Sequence, residues 1–215
     1  VDVIMSVNSL LILQLGLFAG NQNNILESFF HIDQLLFRVI NGGFDPGFLD
    51  QLLTLCRNKY FWIPFYIFIL SYVLANYRRS RWLIILFFGI TVAISDGICS
   101  QLIKKNVERQ RPCHNSEMAV NERIHCGHGY SFPSSHACNH FAIGLFLFLL
   151  FYDFRYRFIL LLWAGLIAIC QVYVGVHYPS DVIAGALLGM CIGYVCFSIF
   201  EVLTSRLNIS RSSIA

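Results

Sequence analysis

The chain has 215 residues, of which 57% are hydrophobic and 13% charged, with a formal net charge of +3. Soluble domains are about half apolar and about a quarter charged, so this composition fits an integral membrane protein. No basic stripe and no Lys/Arg run beyond "RRSR" occurs, so nucleic acid is excluded as an expected partner.

In chain order, residues 4–20, "IMSVNSLLILQLGLFAG", are apolar enough for a first span. A signal-like segment is the alternative, and the missing basic n-region argues against it. "ILESFFHIDQLLFRVI" (25–40) repeats apolar residues at helical spacing with Glu27, Asp33 and Arg38 off the stripe. It carries too much charge to span and reads as an amphipathic helix lying in the membrane interface. "NGGFDPG" (41–47) is a turn, and "FLDQLLTL" (48–55) is a second short amphipathic stretch ending near Arg57 and Lys59.

Five apolar spans are expected next, at Tyr60–Tyr77, Trp82–Ile103, about Ala137–Tyr152, Phe158–Val176 and Val182–Leu203. The expected architecture is an all-α polytopic membrane bundle of five to six transmembrane helices plus the interfacial helix. It divides into an N-terminal segment (1–24), an amphipathic region (25–59), a transmembrane core (60–204) and a cytoplasmic tail (205–215). "RRSR" (78–81), "DFRYR" (153–157), Arg206 and Arg211 fall on one side, which positive-inside bias makes cytoplasmic. The polar loop 104–136 and the turn "HYPSD" (177–181) then share the opposite side. Arg57 and Lys59 also fall there, against the rule.

Three polar groups meet on that side. "KKNVERQRP" (104–112) crowds Lys104, Lys105, Arg109 and Arg111 at the end of a span, either as snorkelling charges or as an anion cradle. In "SFPSSHACNH" (131–140), Ser134 or Ser135 is a natural N-cap, and a helix N-terminus offers N–H groups to phosphate. His136 sits in that first turn. In "HYPSD", Pro179 disfavours helix at Tyr178, so Asp181 folds back towards His177 and fixes its tautomer. Asp96, inside a span, is costly in lipid; it either supports a basic residue of the cradle or makes a structural hydrogen bond. His114, His125, His128 and His140 read as solvated loop or helix-edge residues. "CHN…HCGH" matches no standard zinc spacing, and a Cys113–Cys126 disulfide fits a loop facing an oxidising compartment. Basic donors, a helix-end anion site and two histidines are the parts of a phosphoryl-transfer site.

Lys104-x6-Arg111-Pro112, then Pro133-Ser134-Ser135-His136, then His177-x3-Asp181 resembles the three-part signature of the type 2 phosphatidic acid phosphatase superfamily, K-x6-RP, PSGH and SR-x5-H-x3-D. The resemblance covers about residues 30–200. It implies a metal-independent membrane lipid phosphatase needing no cofactor. His177 would be the nucleophile, forming a phosphohistidine, Asp181 its orienting partner, and His136 the acid for the leaving oxygen. Lys104 and Arg111 would hold the phosphate, with Ser134 and the N–H groups near Ser135 and His136. The sequence departs from the pattern at Ser135, which replaces glycine, and at Gln171, which replaces arginine. Loss of that charge would cost about 3–4 kcal/mol of transition-state stabilisation unless a neighbour such as Arg109 or Lys105 replaces it.

The expected substrate, by analogy with short bacterial members, is a polyprenyl diphosphate such as undecaprenyl diphosphate. Lipid A phosphate, phosphatidylglycerol phosphate and phosphatidic acid are alternatives. The expected place is the bacterial inner membrane, with the site facing the periplasm or exterior. A lipid-phosphate binder or transporter and a haloperoxidase-like vanadate enzyme are the rivals from other classes.

Overall fold

The computed structural model describes residues 25–43 and 47–209. The expected span at 4–20 and Arg211 lie outside them. All regular elements among the described residues are helical. We number them α1 (Ile25–Gly42), α2 (Phe48–Arg57), α3 (Ile63–Asn76, after a 3-10 turn Lys59–Trp62), α4 (Arg81–Asp96), α5 (Ser135–Leu150), α6 (Phe158–Tyr173) and α7 (Pro179–Arg206). α4 continues without a break through a π-helical turn, Gly97–Ile103, into Lys104–Val107. Such wide turns occur often at functional sites.

The chain divides into residues 1–36 and 37–215. In the first unit, the described part of α1 exposes Phe29, Phe30, Ile32 and Leu36. The second unit carries the bundle. Two of its helical stretches, Arg81–His114 and Pro179–Arg206, are long and apolar enough to cross a membrane. Tyr60–Asn76, Ser135–Leu150 and Phe158–Tyr173 are apolar but shorter. The five spans expected from sequence therefore occur as five apolar helical stretches, two of them at full spanning length.

The centre of the bundle is the contact between α5 and α7. Gly185, Gly189 and Gly193 recur every fourth residue and form one stripe on α7. A Cβ at any of them would run into backbone of α5: Ser134 O, Cys138 O and Ala142 O, themselves four residues apart. The two backbones thus lie against each other at three points along about two turns, the small-residue packing of membrane helices. Around this seam Phe146, Leu147, Leu150, Ile167, Ile192, Phe197 and Phe200 form the core. Gly144 of α5 makes a looser approach to Leu160 O of α6.

Within the second unit, the end of α1 at Asn41 and α2 are fastened differently, by polar groups. The buried Asn41 side chain donates to Tyr173 O (2.9 Å) and Asn121 O (3.1 Å), and accepts from Asn121 N–H (2.9 Å). Arg123 donates to Asn41 O (2.8 Å) and Tyr173 O (3.0 Å), pairs with Asp50 of α2, and lies 4.0 Å over the Tyr173 ring. The Tyr173 hydroxyl donates to Asp50 Oδ1 at 2.5 Å. At the other end of α2, Trp62 Nε1 donates to Cys56 O at 2.6 Å. α2 is therefore held to the end of α6 through Asp50 and to the turn before α3 through Cys56.

Candidate active site

The turn "HYPSD" is a helix start. α6 ends at Tyr173, and Gly175 takes φ +90°, a left-handed conformation in which a side chain is strained and would also meet Val120. Tyr178 is extended, as the following proline requires, and Pro179 occupies the first turn of α7. Asp181 lies in that first turn, where its Oδ2 accepts from Tyr178 N–H at 2.8 Å. His177 stands just before the helix, 3% exposed, with Nδ1 3.5 Å from Asp181 Oδ2. That separation is longer than a formed hydrogen bond, and such contacts in ligand-free sites tighten on binding. Burial lowers the His177 pKa to about 4, partly offset by Asp181, which raises it; Lys104 and Arg111 lower it further.

The polar loop reaches the same point. Ser134 N–H donates to Asp181 O at 2.9 Å, and Ser131 N–H to Arg109 O at 2.7 Å. Loop 104–136 and residues 177–181 thus meet as the loop charges require. Ser134 is the N-cap of α5, its hydroxyl accepting from Ala137 N–H at 3.4 Å. Ser135 accepts from the Ser100 hydroxyl at 2.8 Å, and its N–H belongs to the first turn of the helix. The α5 N-terminus, with His136 in its first turn, is therefore the kind of helix end that offers amides to an anion.

Of the four basic candidates, two enter the site. Lys104 and Arg111 both lie close enough to act electrostatically on His177, and the Arg111 Nε is buried without a hydrogen-bond partner. Arg109 is engaged elsewhere: it donates to Asp181 Oδ1 (2.6 Å) and Ser180 Oγ (2.7 Å), and lies 4.1 Å over the Tyr178 ring. It braces Asp181 and is unsuited to replace the missing arginine. Lys105 is exposed on the short turn after Ile103. Gln171 is fully buried, and its Oε1 accepts from Arg57 Nε at 3.1 Å. Sequence reasoning passed over Arg57 in its role at the site; the one signal was its place on the wrong side for a loop cation.

Asp96 makes structural hydrogen bonds, one of its two expected roles: it accepts from Ser100 (2.8 Å) and Asn139 (3.4 Å) at the edge of the site. One other expectation needs correcting. His140 is no solvated residue. Its Nδ1 lies 2.8 Å from His136 O, its Nε2 3.4 Å from the Tyr66 hydroxyl, and its ring packs edge-on to Trp163. One turn below His136 on α5, it helps line a cavity of about 200 Å³ with Arg57, Tyr66, Asp96, His136 and Asn139. Cys113 and Cys126 form a disulfide with a Cα–Cα distance of 6.2 Å. They cluster with His114, but the disulfide removes the thiolates that a metal would need.

Comparison with known proteins fits this geometry. Residues 82–205 match the PAP2 superfamily. The chain is 31% identical over 190 residues to the lipid A 4'-phosphatase of Bacteroides thetaiotaomicron, covering 86% of this chain and 84% of that protein. The crystal structure of Aquifex aeolicus LpxE superimposes with a TM-score of 0.58 at 27% identity, over 76% of this chain and 93% of that one. A transmembrane PAP2-type phosphatidylglycerolphosphate phosphatase from Bacillus subtilis shares the fold, with a TM-score of 0.62 at 19% identity over 93% of this chain and 96% of that one. The helical bundle, the ordered motifs and these matches agree: the chain belongs to the PAP2 superfamily and is a membrane lipid phosphatase of that type.

Proposed function

We propose that the chain removes a phosphate monoester from lipid A through a phosphohistidine intermediate. The likeness to a lipid A 4'-phosphatase along most of both chains supports the substrate. The observation that supports the mechanism is the buried His177 beside Asp181, close enough to Lys104, Arg111 and His136 for their charges to act on one another.

His177 is neutral above about pH 4 and so carries a lone pair at physiological pH. With Nδ1 turned to Asp181, its Nε2 attacks phosphorus in line. The bond from phosphorus to the lipid oxygen breaks as His136 gives that oxygen a proton; a bound phosphate dianion favours the protonated imidazole needed for this. Water then attacks the phosphohistidine, His136 takes its proton, and inorganic phosphate leaves with His177 restored. Lys104, Arg111 and the amides near Ser135 and His136 carry the charge on the non-bridging oxygens, with Ser134 shaping the helix end. Asp181 positions His177 and is itself braced by Arg109 and the Tyr178 amide.

The site belongs on the outer side of a bacterial inner membrane. The clusters at 78–81 and 153–157 fall on the other side, and the Cys113–Cys126 disulfide beside the site suits an oxidising compartment.

The polyprenyl diphosphate expected from the resemblance has no comparable support among the relatives and enters the test as the rival. Purified protein in detergent is given lipid A, undecaprenyl diphosphate, phosphatidylglycerol phosphate and phosphatidic acid, and released phosphate is measured for wild type and His177→Ala. Preferential release from lipid A, absent in the variant, is expected. Faster turnover of another lipid overturns the substrate. No release from any of them, with lipid binding retained in His177→Ala, overturns the enzyme in favour of a binder or transporter.

A further inference from the structure

The site lacks the arginine that its family pattern places at position 171, and the two sequence neighbours that might replace it do not. Arg109 is spent on Asp181, Ser180 and Tyr178, and Lys105 is exposed. A cation from outside the three motifs stands there instead. Arg57, the last residue of α2, donates its Nε to Gln171 Oε1 at 3.1 Å and lines the cavity that holds His136.

Arg57 is partly buried and has no carboxylate partner among the described residues. Asp96, the acidic residue of the cavity, is occupied by Ser100 and Asn139. What faces Arg57 is more positive charge: Arg111 repels it, and Arg57 in turn acts on His136. Arg57, repelled by Arg111 and set beside the His136 imidazole, costs free energy unless an anion joins them. Gln171 is the right residue to meet Arg57. A carboxamide oxygen accepts from Nε without neutralising the charge, so the two terminal nitrogens stay available as a fork for phosphate oxygens. An arginine at 171 would bring a further guanidinium against Arg57.

We propose that Arg57 is the third phosphate-binding cation of this site, anchored on Gln171, so that the charge enters from α2 where the family pattern supplies it from the helix before the nucleophile. The proposal rests on the phosphatase reading above. It gives a reason for the loop cation that breaks positive-inside bias, and for the Asp50–Arg123–Tyr173 fastening that fixes α2 on the end of α6.

The test uses the full chain in detergent, phosphate release from lipid A, inhibition by inorganic vanadate, and a thermal midpoint for each variant. Arg57→Ala is expected to lower kcat/KM about 100- to 1,000-fold and to weaken vanadate inhibition at least about tenfold. Arg57→Lys, which keeps the charge and loses the fork, falls between. Arg57→Ala with Gln171→Arg regains at least about tenfold over Arg57→Ala alone, because the charge returns from the family position. Should Arg57→Ala fail to fold, Arg57→Lys and Gln171→Leu read the same point, and wild-type rates and vanadate inhibition in both overturn the proposal. So does a folded Arg57→Ala within about threefold of wild type, a change too small for the loss of an oxyanion donor. So does a folded double variant no faster than the single one. His177→Ala separates the two readings: an active wild type, a dead His177→Ala and an unaffected Arg57→Ala sink the Arg57 assignment alone, whereas an inactive wild type takes both.

Discussion

The α5–α7 seam and the α2 arm position groups of the candidate site by opposite means. The seam carries the cap Ser134, His136 and Asp181 on two helices whose backbones touch at Gly185, Gly189 and Gly193. Little there can move without separating the helices, since close-packed backbone has no side chain to adjust. The arm carries Arg57 on a ten-residue helix, too short to be stable alone, held by Asp50, Arg123, Tyr173 and the Trp62–Cys56 hydrogen bond. The groups proposed for bond making and proton transfer stand on the rigid part. The cation proposed to complete the phosphate site stands on the part fastened by polar contacts.

The comparison can be broken most sharply at the seam's functional end. His177→Ala should abolish turnover, by on the order of 10⁴-fold or more, with the thermal midpoint nearly kept, as initial-rate assays and a melting curve will show. Next, Gly189→Leu should push α7 off Cys138 and destabilise the protein by about 3 kcal/mol, read as a lowered midpoint together with lost activity. Arg123→Met should do the reverse, removing the clamp on α2: kcat/KM falls several-fold through a misplaced Arg57, while the midpoint drops less than for Gly189→Leu. A larger stability loss from Arg123→Met than from the glycine variant would mean that the arm, and not the seam, holds the fold.

The disulfide offers a smaller effect. Its 13-residue separation gives about 3 kcal/mol by loop entropy in an otherwise free chain, and less here because other contacts already tether the loop. Cys113→Ser with Cys126→Ser should therefore lower the midpoint modestly and leave the rate on lipid A within a few-fold of wild type. The smallest effect is on pH. Burial lowers the His177 pKa to about 4, so the neutral nucleophile is present above that pH and is lost as pH falls through it. The acid limb of kcat/KM should lie near pH 4. Asp181 raises that pKa, so Asp181→Asn should move the limb further to acid while slowing the reaction. Asp50, whose pKa is lowered by Tyr173 and then Arg123, keeps its charge down into the ordinary carboxylate range, so the arm stays fastened throughout the window in which His177 is neutral.

Much of this was legible from local signals. Apolar runs marked the helices, to within a turn at their ends. Pro179 marked the start of α7, and "SFPSSHA" marked the cap of α5, because capping and proline geometry act between near neighbours. Loop charges put the polar loop and "HYPSD" on one side, and the structure joins them through Ser134 and Asp181. The glycine stripe at 185, 189 and 193 was also on view in the sequence, but only its partner carbonyls on α5 give it meaning.

The sequence by itself determined an all-helical membrane chain and the side on which its polar groups gather, since composition, periodicity and spacing are local quantities; the gap at Gln171 is visible only against the family pattern that the three motifs resemble. Only the tertiary structure decided what fills that gap. Arg57 and Gln171 lie 114 residues apart. Nothing near either one in the chain encodes their contact; it exists because Asp50, Arg123 and Tyr173 fold α2 back onto the end of α6. The same holds for His140, which reads as a loose helix-edge histidine until Tyr66 and Trp163 close around it. A charge's role depends on what it faces, and in a bundle that is settled by packing between distant segments.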